Sequence, residues 1–244
     1  MAQTQESSPA NQPSIELIGE LSVGDTARVD LGVIRSGTDA GKLVAVKRLH
    51  GALMADELAV SAFRDEIWMA AALDHPNITR VLTWGEDASG PFLATEFVHG
   101  VSLLRLMRTV FSTGEHFSER FVVYFVANVA RGLTAAHSLE GPRGEPLQLV
   151  HRDLTPSNVL VGVDGDVKLT DFGLAKAKQR LTQTIVGMRR TNHSYMAPEQ
   201  IVALPVDGRA DIFSLGVLTF ELFAQRHPWQ ASSDGDMMTR IVNE

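Results

Sequence analysis

The sequence predicts an α+β fold in two unequal parts, strand-rich first and helix-rich second, with the change of character between residues 97 and 100. Three observations predict it. Residues 15–47 are strand-like runs broken by Gly and Asp. Phe121, Phe125, Val129 and Leu133 recur every four positions, with Val122, Val126 and Ala130 beside them, which marks one long buried helix. No internal repeat points to a solenoid or propeller instead.

In chain order, residues 1–14, MAQTQESSPANQPS, are rich in Gln, Ser, Pro and Asn and are expected to form a disordered leader. Ile15–Leu21, Ala27–Ile34 and Leu43–Arg48 are expected to form a meander, with Ser36–Gly41 as a hairpin turn. A helix is predicted over Asp56–Leu73, where Phe63, Ile67 and Ala70 or Ala71 recur at helical spacing. His75-Pro76-Asn77 stops it, because Pro disfavours helical geometry in the residue before it. Val81–Gly85 and Phe92–Val98 read as two more strands around the turn Glu86–Gly90. The long helix is predicted over Ser118–Leu139 and a second, largely apolar one over Asp207–Gln225, with short strands and a long loop between them.

Composition narrows the function classes. The chain of 244 residues is 44 % hydrophobic and 21 % charged, which suits one or two compact units. A net charge of −7 gives no global field for nucleic acid, so no such partner is expected. Without cysteine there is no disulfide, no thiolate metal site and no Cys nucleophile. The eight histidines show no HExxH-type ligand spacing. The leader lacks the charged, apolar, small-residue order of a signal peptide. Phe121–Ala130 and Phe213–Phe223 are too short to span a bilayer and carry Asn128 and Glu221, so no membrane insertion is expected. A cytoplasmic protein fits best.

The strongest chemical signal is His151-Arg152-Asp153-Leu154-Thr155-Pro156-Ser157-Asn158, which fits H-R-D-L-x-x-x-N. Five fixed positions match, so chance in a chain of this length is on the order of one in ten thousand. Asp171-Phe172-Gly173 follows Asn158 by thirteen residues, after the strand-like Val167–Thr170. Val44-Ala45-Val46-Lys47 lies upstream at the end of a predicted strand, and Ala197-Pro198-Glu199 closes the loop that Asp171 opens. Any one of these alone is better explained as an ordinary turn or strand. Four in this order are not.

From Ile15 onward the chain resembles a bacterial, eukaryotic-like serine/threonine protein kinase catalytic domain. The resemblance implies a two-lobed fold, with an N-lobe over 15–97 and a C-lobe over 98–244, and with ATP and Mg²⁺ as cofactors and a protein as substrate. Phosphoryl transfer needs charge neutralised and atoms placed in line more than it needs covalent help. On the resemblance, Lys47 holds the α- and β-phosphates and Glu66, nineteen residues on, holds Lys47. Asp153 accepts or orients the proton of the attacking hydroxyl, and Asn158 and Asp171 ligate Mg²⁺. Nucleotide contacts are implied for Ser22, Gly24, Val29, Ala45, Lys47, Thr95, Glu96, Val98 and Leu160. Within that set Thr95-Glu96-Phe97-Val98 resembles the hinge that bonds adenine. His151 and Phe172 are expected to pack in the core, and Asp211 to bond the backbone of the catalytic loop.

Four departures from the family pattern stand out. Ser22-Val23-Gly24-Asp25-Thr26-Ala27-Arg28-Val29 keeps one glycine of the three in G-x-G-x-x-G-x-V, where glycines let backbone N–H groups approach phosphate. Thr155 stands where a lysine meets the transferred phosphate, and Asn192 where a threonine supports that lysine. The C-lobe is expected to stop before the family's last helices, without the late arginine that pairs with a residue like Glu199. An apolar patch open to a partner or to self-association is expected there. Arg152 is expected to meet a phosphate on Thr182, Thr184, Thr191 or Ser194, in a segment made basic by Lys176, Lys178, Arg180, Arg189 and Arg190. An active serine/threonine kinase is favoured because Lys47, Glu66, Asp153, Asn158 and Asp171 are all present. The alternative is a pseudokinase acting as a nucleotide-binding or interaction module. A tyrosine kinase ranks third, because the loop after Asp153 lacks the Arg/Ala pattern of that class.

Overall fold

A computed structural model of the chain describes residues 13–24, 26–172 and 193–244. Its first half is built on five antiparallel strands: β1 (Ile15–Val23), β2 (Ala27–Ile34), β3 (Leu43–Leu49), β4 (Val81–Asp87) and β5 (Gly90–Glu96). Their order across the sheet is β1-β2-β3-β5-β4. Successive side chains of a strand face opposite sides, which decides the layers. On β3, Val44 and Val46 join Ile34, Phe92 and Ala94 in one apolar cluster. Ala45, Lys47 and Leu49 therefore face the other side, where Leu49 and Leu93 pack on helix α1 (Glu57–Ala71) through Ala59, Phe63 and Ile67.

Helix α1 starts where the sequence provides a cap. The Asp56 carboxylate accepts the N–H groups of Leu58 and Ala59 at 2.9 and 3.3 Å. Burial of each large apolar side chain such as Phe63 or Ile67 contributes roughly 1.5–3 kcal/mol and fixes which face turns inward. Glu66 lies on that same inward face, so a carboxylate is carried into the cleft by apolar neighbours.

The second half holds β6 (Gly100–Ser102), α2 (Leu103–Ser112), α3 (Glu119–His137), β7 (Val159–Gly162), β8 (Val167–Leu169), α4 (Pro198–Ile201), α5 (Arg209–Ala224) and α6 (Asp234–Asn243). Strands β6, β7 and β8 form a small antiparallel sheet. The core runs along α3, where Val122, Phe125, Val129, Leu133 and Ala136 meet Leu154, Leu169, Leu215, Leu218 and Leu222. A Cβ at Gly132 would lie 2.9 Å from both the Asn77 carbonyl oxygen and Leu169 Cδ1. That glycine lets α3 press against the strand that leads into Asp171.

The two halves are pinned together behind the cleft. Thr79 N–H donates to the Leu169 carbonyl and Leu169 N–H to that of Asn77, both at 2.8 Å. The Asn77 amide donates to Asn128 Oδ1 at 3.0 Å and to the Val167 carbonyl at 2.9 Å. The two-lobed α+β expectation holds. Several edges differ. The β4–β5 ladder continues to Asp87 opposite Gly90, so the expected turn Glu86–Gly90 shrinks to Ala88 and Ser89. Val98 lies beyond β5. Ser14, assigned to the leader, is held at the sheet, where its N–H donates to Ser36 Oγ at 2.8 Å. Among the described residues no helix is long and apolar enough to cross a membrane.

Candidate active site

The site is assembled where the inner face of β3 meets the end of β8. Lys47 is 7 % exposed, and Glu66 on α1 is 1 % exposed. Lys47 Nζ donates to Glu66 Oε1 at 2.7 Å and also to Asp171 Oδ1. A buried ammonium is expensive unless paired, and here two carboxylates share it. Burial alone would lower the lysine pKa. The charge of Asp171, then that of Glu66, and the hydrogen bonds to both outweigh it, so the pKa rises above the ordinary lysine value. Lys47 is a fixed cation.

The catalytic-loop sequence is held by α5. Asp211, fully buried, accepts His151 N–H on Oδ2 and Arg152 N–H on Oδ1, both at 2.8 Å. His137, at the end of α3, meets the same Oδ2 with Nε2 at 2.7 Å. Asp153 N–H points to His151 Nδ1 at 3.3 Å, while His151 Nε2 lies 3.0 Å from the Thr170 carbonyl. These contacts assign the proton to Nε2. The imidazole thus links the loop to the residue before Asp171 and packs on Phe172 with ring centroids 4.5 Å apart. Arg152 and Asp171 both have left-handed backbones, with φ of 64° and 66°. Non-glycine residues hold such angles only where their surroundings dictate them, at a cost of about 1–3 kcal/mol each.

Asn158 closes the loop. Its Nδ2 donates to the Asp153 carbonyl at 2.8 Å, and its own carbonyl accepts Thr170 N–H at 3.0 Å. With Nδ2 so committed, the amide oxygen is the side chain's remaining polar atom and an acceptor. Together with the Asp171 carboxylate it offers hard oxygen donors that fit Mg²⁺, which prefers a few protein oxygens and completes its octahedron with water and phosphate.

The cross-strand register places Ser22, Val29, Ala45, Lys47 and Thr95 on one sheet face, whereas Glu96, opposite Val44, falls on the other. Val29 is opposite Lys47, Ser22 opposite Val29, and Ala45 opposite both Leu31 and Thr95. Val29, Ala45, Thr95, Val98 and Leu160 are each partly exposed, as a slot for a flat apolar group requires. Leu160 comes from β7, two residues after Asn158. The Glu96 side chain is engaged elsewhere: Oε1 accepts Lys168 Nζ and the Arg80 N–H, each at 2.9 Å. Thr155 is 2 % exposed and brings no charge to the loop. Glu199 is partly exposed, and neither Arg226 nor Arg240 pairs with it. Arg226 stacks on Phe220 and Arg240 pairs with Asp236 and Glu244.

Gly173, Asn192, Asp25, the basic residues from Lys176 to Arg190, and Thr182, Thr184 and Thr191 lie outside the described residues. Ser194 is within them, and its carbonyl lies 3.1 Å from His227 Nε2. Sequence reasoning did not single out His137, Gln200 or Lys168. Gln200 Nε2 donates to the Arg152 carbonyl at 2.8 Å, so the segment after Ala197 braces the catalytic loop. No spacing rule links these residues to their partners, which lie 74 positions away for His137, 48 for Gln200 and 72 for Lys168.

Fold and site define a two-lobed domain built around one buried lysine, two carboxylates and an amide-closed loop. The family model described as the protein kinase domain matches residues 15–244, and the chain belongs to that family. It is 34 % identical over 226 residues to the tyrosine-protein kinase MasK of Myxococcus xanthus (strain DK1622), covering 93 % of this chain and 35 % of that protein. It is 31 % identical over 227 residues to the probable serine/threonine-protein kinase PknB of Lactococcus lactis subsp. lactis (strain IL1403), covering 93 % and 33 %. It is 34 % identical over 190 residues to the serine/threonine-protein kinase PknL of Mycobacterium tuberculosis, covering 78 % and 45 %. The chain thus spans between a third and a half of the length of these three relatives.

Proposed function

We propose that this chain is an ATP- and Mg²⁺-dependent kinase that phosphorylates Ser or Thr hydroxyls of protein substrates. The observation that carries this reading is the buried Lys47 held between Glu66 and Asp171. On this reading Lys47 neutralises the α- and β-phosphates, and Asp171 and Asn158 would hold Mg²⁺. Bound Mg²⁺ supplies charge neutralisation along the phosphates. The substrate hydroxyl oxygen attacks the γ-phosphorus, the bond from that phosphorus to the β–γ bridging oxygen breaks, and ADP leaves with the electron pair. The hydroxyl proton passes to the Asp153 carboxylate. No covalent enzyme intermediate is required.

Two other readings have specific support. The likeness to a protein named as a tyrosine kinase supports a Tyr acceptor. The neutral, buried Thr155 supports a pseudokinase. Phosphoamino-acid analysis after incubation with Mg·ATP and a generic protein substrate separates all three. Phosphoserine or phosphothreonine supports the proposal, phosphotyrosine alone transfers it to the second class, and no incorporation leaves the third.

Thr155 also gives a prediction within the main reading. Thr155→Lys alone should change the rate little, because position 155 is buried and Asn192, its counterpart on the resemblance, is unchanged. Thr155→Lys with Asn192→Thr should raise transfer on the order of tenfold by placing a positive charge near the γ-phosphate. Additive effects in that double-mutant cycle would refute the coupling.

We propose further that Ile212, Phe220, Phe223 and Val242, between 38 and 54 % exposed, form a surface for a partner or a second copy. Sedimentation of the 244-residue chain should then show concentration-dependent association. A monodisperse monomer up to high concentration removes self-association from the proposal.

A further inference from the structure

The β1–β2 turn is fastened by a residue that belongs to none of the motifs. Gly24 N–H donates to the Ala27 carbonyl at 2.9 Å. His50 N–H donates to the Thr26 carbonyl at 3.0 Å, and His50 Nε2 meets the Gly24 carbonyl at 2.6 Å. His50 directly follows β3, three residues beyond Lys47. Ala27 pairs with Leu49, so the turn projects past the end of β3 to where His50 stands. Thr26 and Ala27 are each 7 % exposed, so the far side of the turn is packed down.

Both His50 contacts go to carbonyl oxygens, which can only accept. His50 Nε2 must therefore carry a proton, and the neutral Nε2–H tautomer and the imidazolium both supply it. The clamp works in either state. Its purpose follows from the glycine count. A loop with three glycines can mould its N–H groups around phosphate as the ligand arrives. Here Ser22 and Ala27 take two of those places and sit in the strand ladder, opposite Val29 and Leu49. A turn that cannot mould itself must be set beforehand, and fixing it in advance lowers the cost of binding.

We infer that His50 is a positioning residue that ties the backbone at Gly24 and Thr26 in place over the phosphate end of the bound nucleotide. The inference rests on the nucleotide-binding reading above. Calorimetric titration of the full chain tests it, using a non-hydrolysable ATP analogue with Mg²⁺, and adenosine, which lacks phosphates. His50→Ala should weaken the analogue about fivefold, the scale of one lost hydrogen bond, and leave adenosine unchanged. His50→Gln, whose amide can still donate to the Gly24 carbonyl, should recover most of the loss. Equal loss for both ligands, no loss for either, or a Gln variant no better than Ala would overturn the inference. A wild-type chain that binds neither ligand would remove the nucleotide reading and this inference with it. Normal wild-type binding with unchanged variants would remove this inference alone.

Discussion

Lys47→Met is expected to lower phosphoryl transfer by at least about 10²–10³-fold, the scale of removing one preorganised electrostatic group from a site. The argument is geometric. Lys47 Nζ is shared by Glu66 and Asp171, so its removal both unneutralises the phosphates and leaves two carboxylates facing one another. The loss of this lysine should also tell on the fold. At 7 % exposure it is not solvent-facing, and the neighbouring Glu66 is 1 % exposed. Leaving a buried charge without its partner costs about 3–5 kcal/mol, unless the carboxylate takes up a proton. The melting temperature should therefore fall as well. Activity must be measured well below the variant's own transition, with circular dichroism confirming that it is folded. Lys47 itself should not make stability pH-dependent near neutrality. Because the folded pKa of Lys47 is raised, its contribution is complete below the ordinary lysine value of 10.5 and is lost only as pH rises through the higher folded value. A folded Lys47→Met variant with wild-type transfer would remove Lys47 from the proposed chemistry.

Asp153→Asn is the second large effect. It should lower kcat by about 10²–10⁴-fold, the range for loss of a positioned general base, while the KM for ATP changes by no more than about threefold. Asparagine preserves shape, and the backbone bonds of residue 153 to His151 Nδ1 and from Asn158 Nδ2 do not involve the carboxylate. The fold and the amide-closed loop should therefore survive the change. A drop in ATP affinity with kcat unaltered would reassign Asp153 from proton acceptor to binding group.

The parts of this molecule that were legible in the sequence are those whose partners lie at fixed spacing. The strand alternation of Leu43–Leu49 and the four-residue recurrence in α3 report burial directly, because one face of each element is packed. The pairing of Lys47 with Glu66 comes from the family resemblance and not from a spacing rule, and the two lie 2.7 Å apart. Helices α2 and α6 were not among the expected elements, although Leu103, Leu106, Met107 and Val110 recur at helical spacing in α2. His137 and Gln200 escaped because of what they bond. Gln200 bonds a backbone carbonyl, which leaves no residue pattern, and His137 bonds a buried carboxylate 74 positions away. His50 belongs with them: its partners are two carbonyl groups, which exist at every position of any sequence. The Glu96 carboxylate, held by Lys168 of β8, is a contact between strands of different halves that no local rule anticipates.

The most direct measurement is transfer of labelled phosphate from ATP in the presence of Mg²⁺, comparing wild type with Asp171→Asn. That substitution keeps the side-chain shape but removes the negative charge that meets Lys47 and would help to hold Mg²⁺. The account predicts incorporation by wild type that requires Mg²⁺ and is lost in the variant, while the variant still melts cooperatively. Incorporation that is equal in the two proteins, or absent from a folded wild type supplied with Mg·ATP, would contradict it.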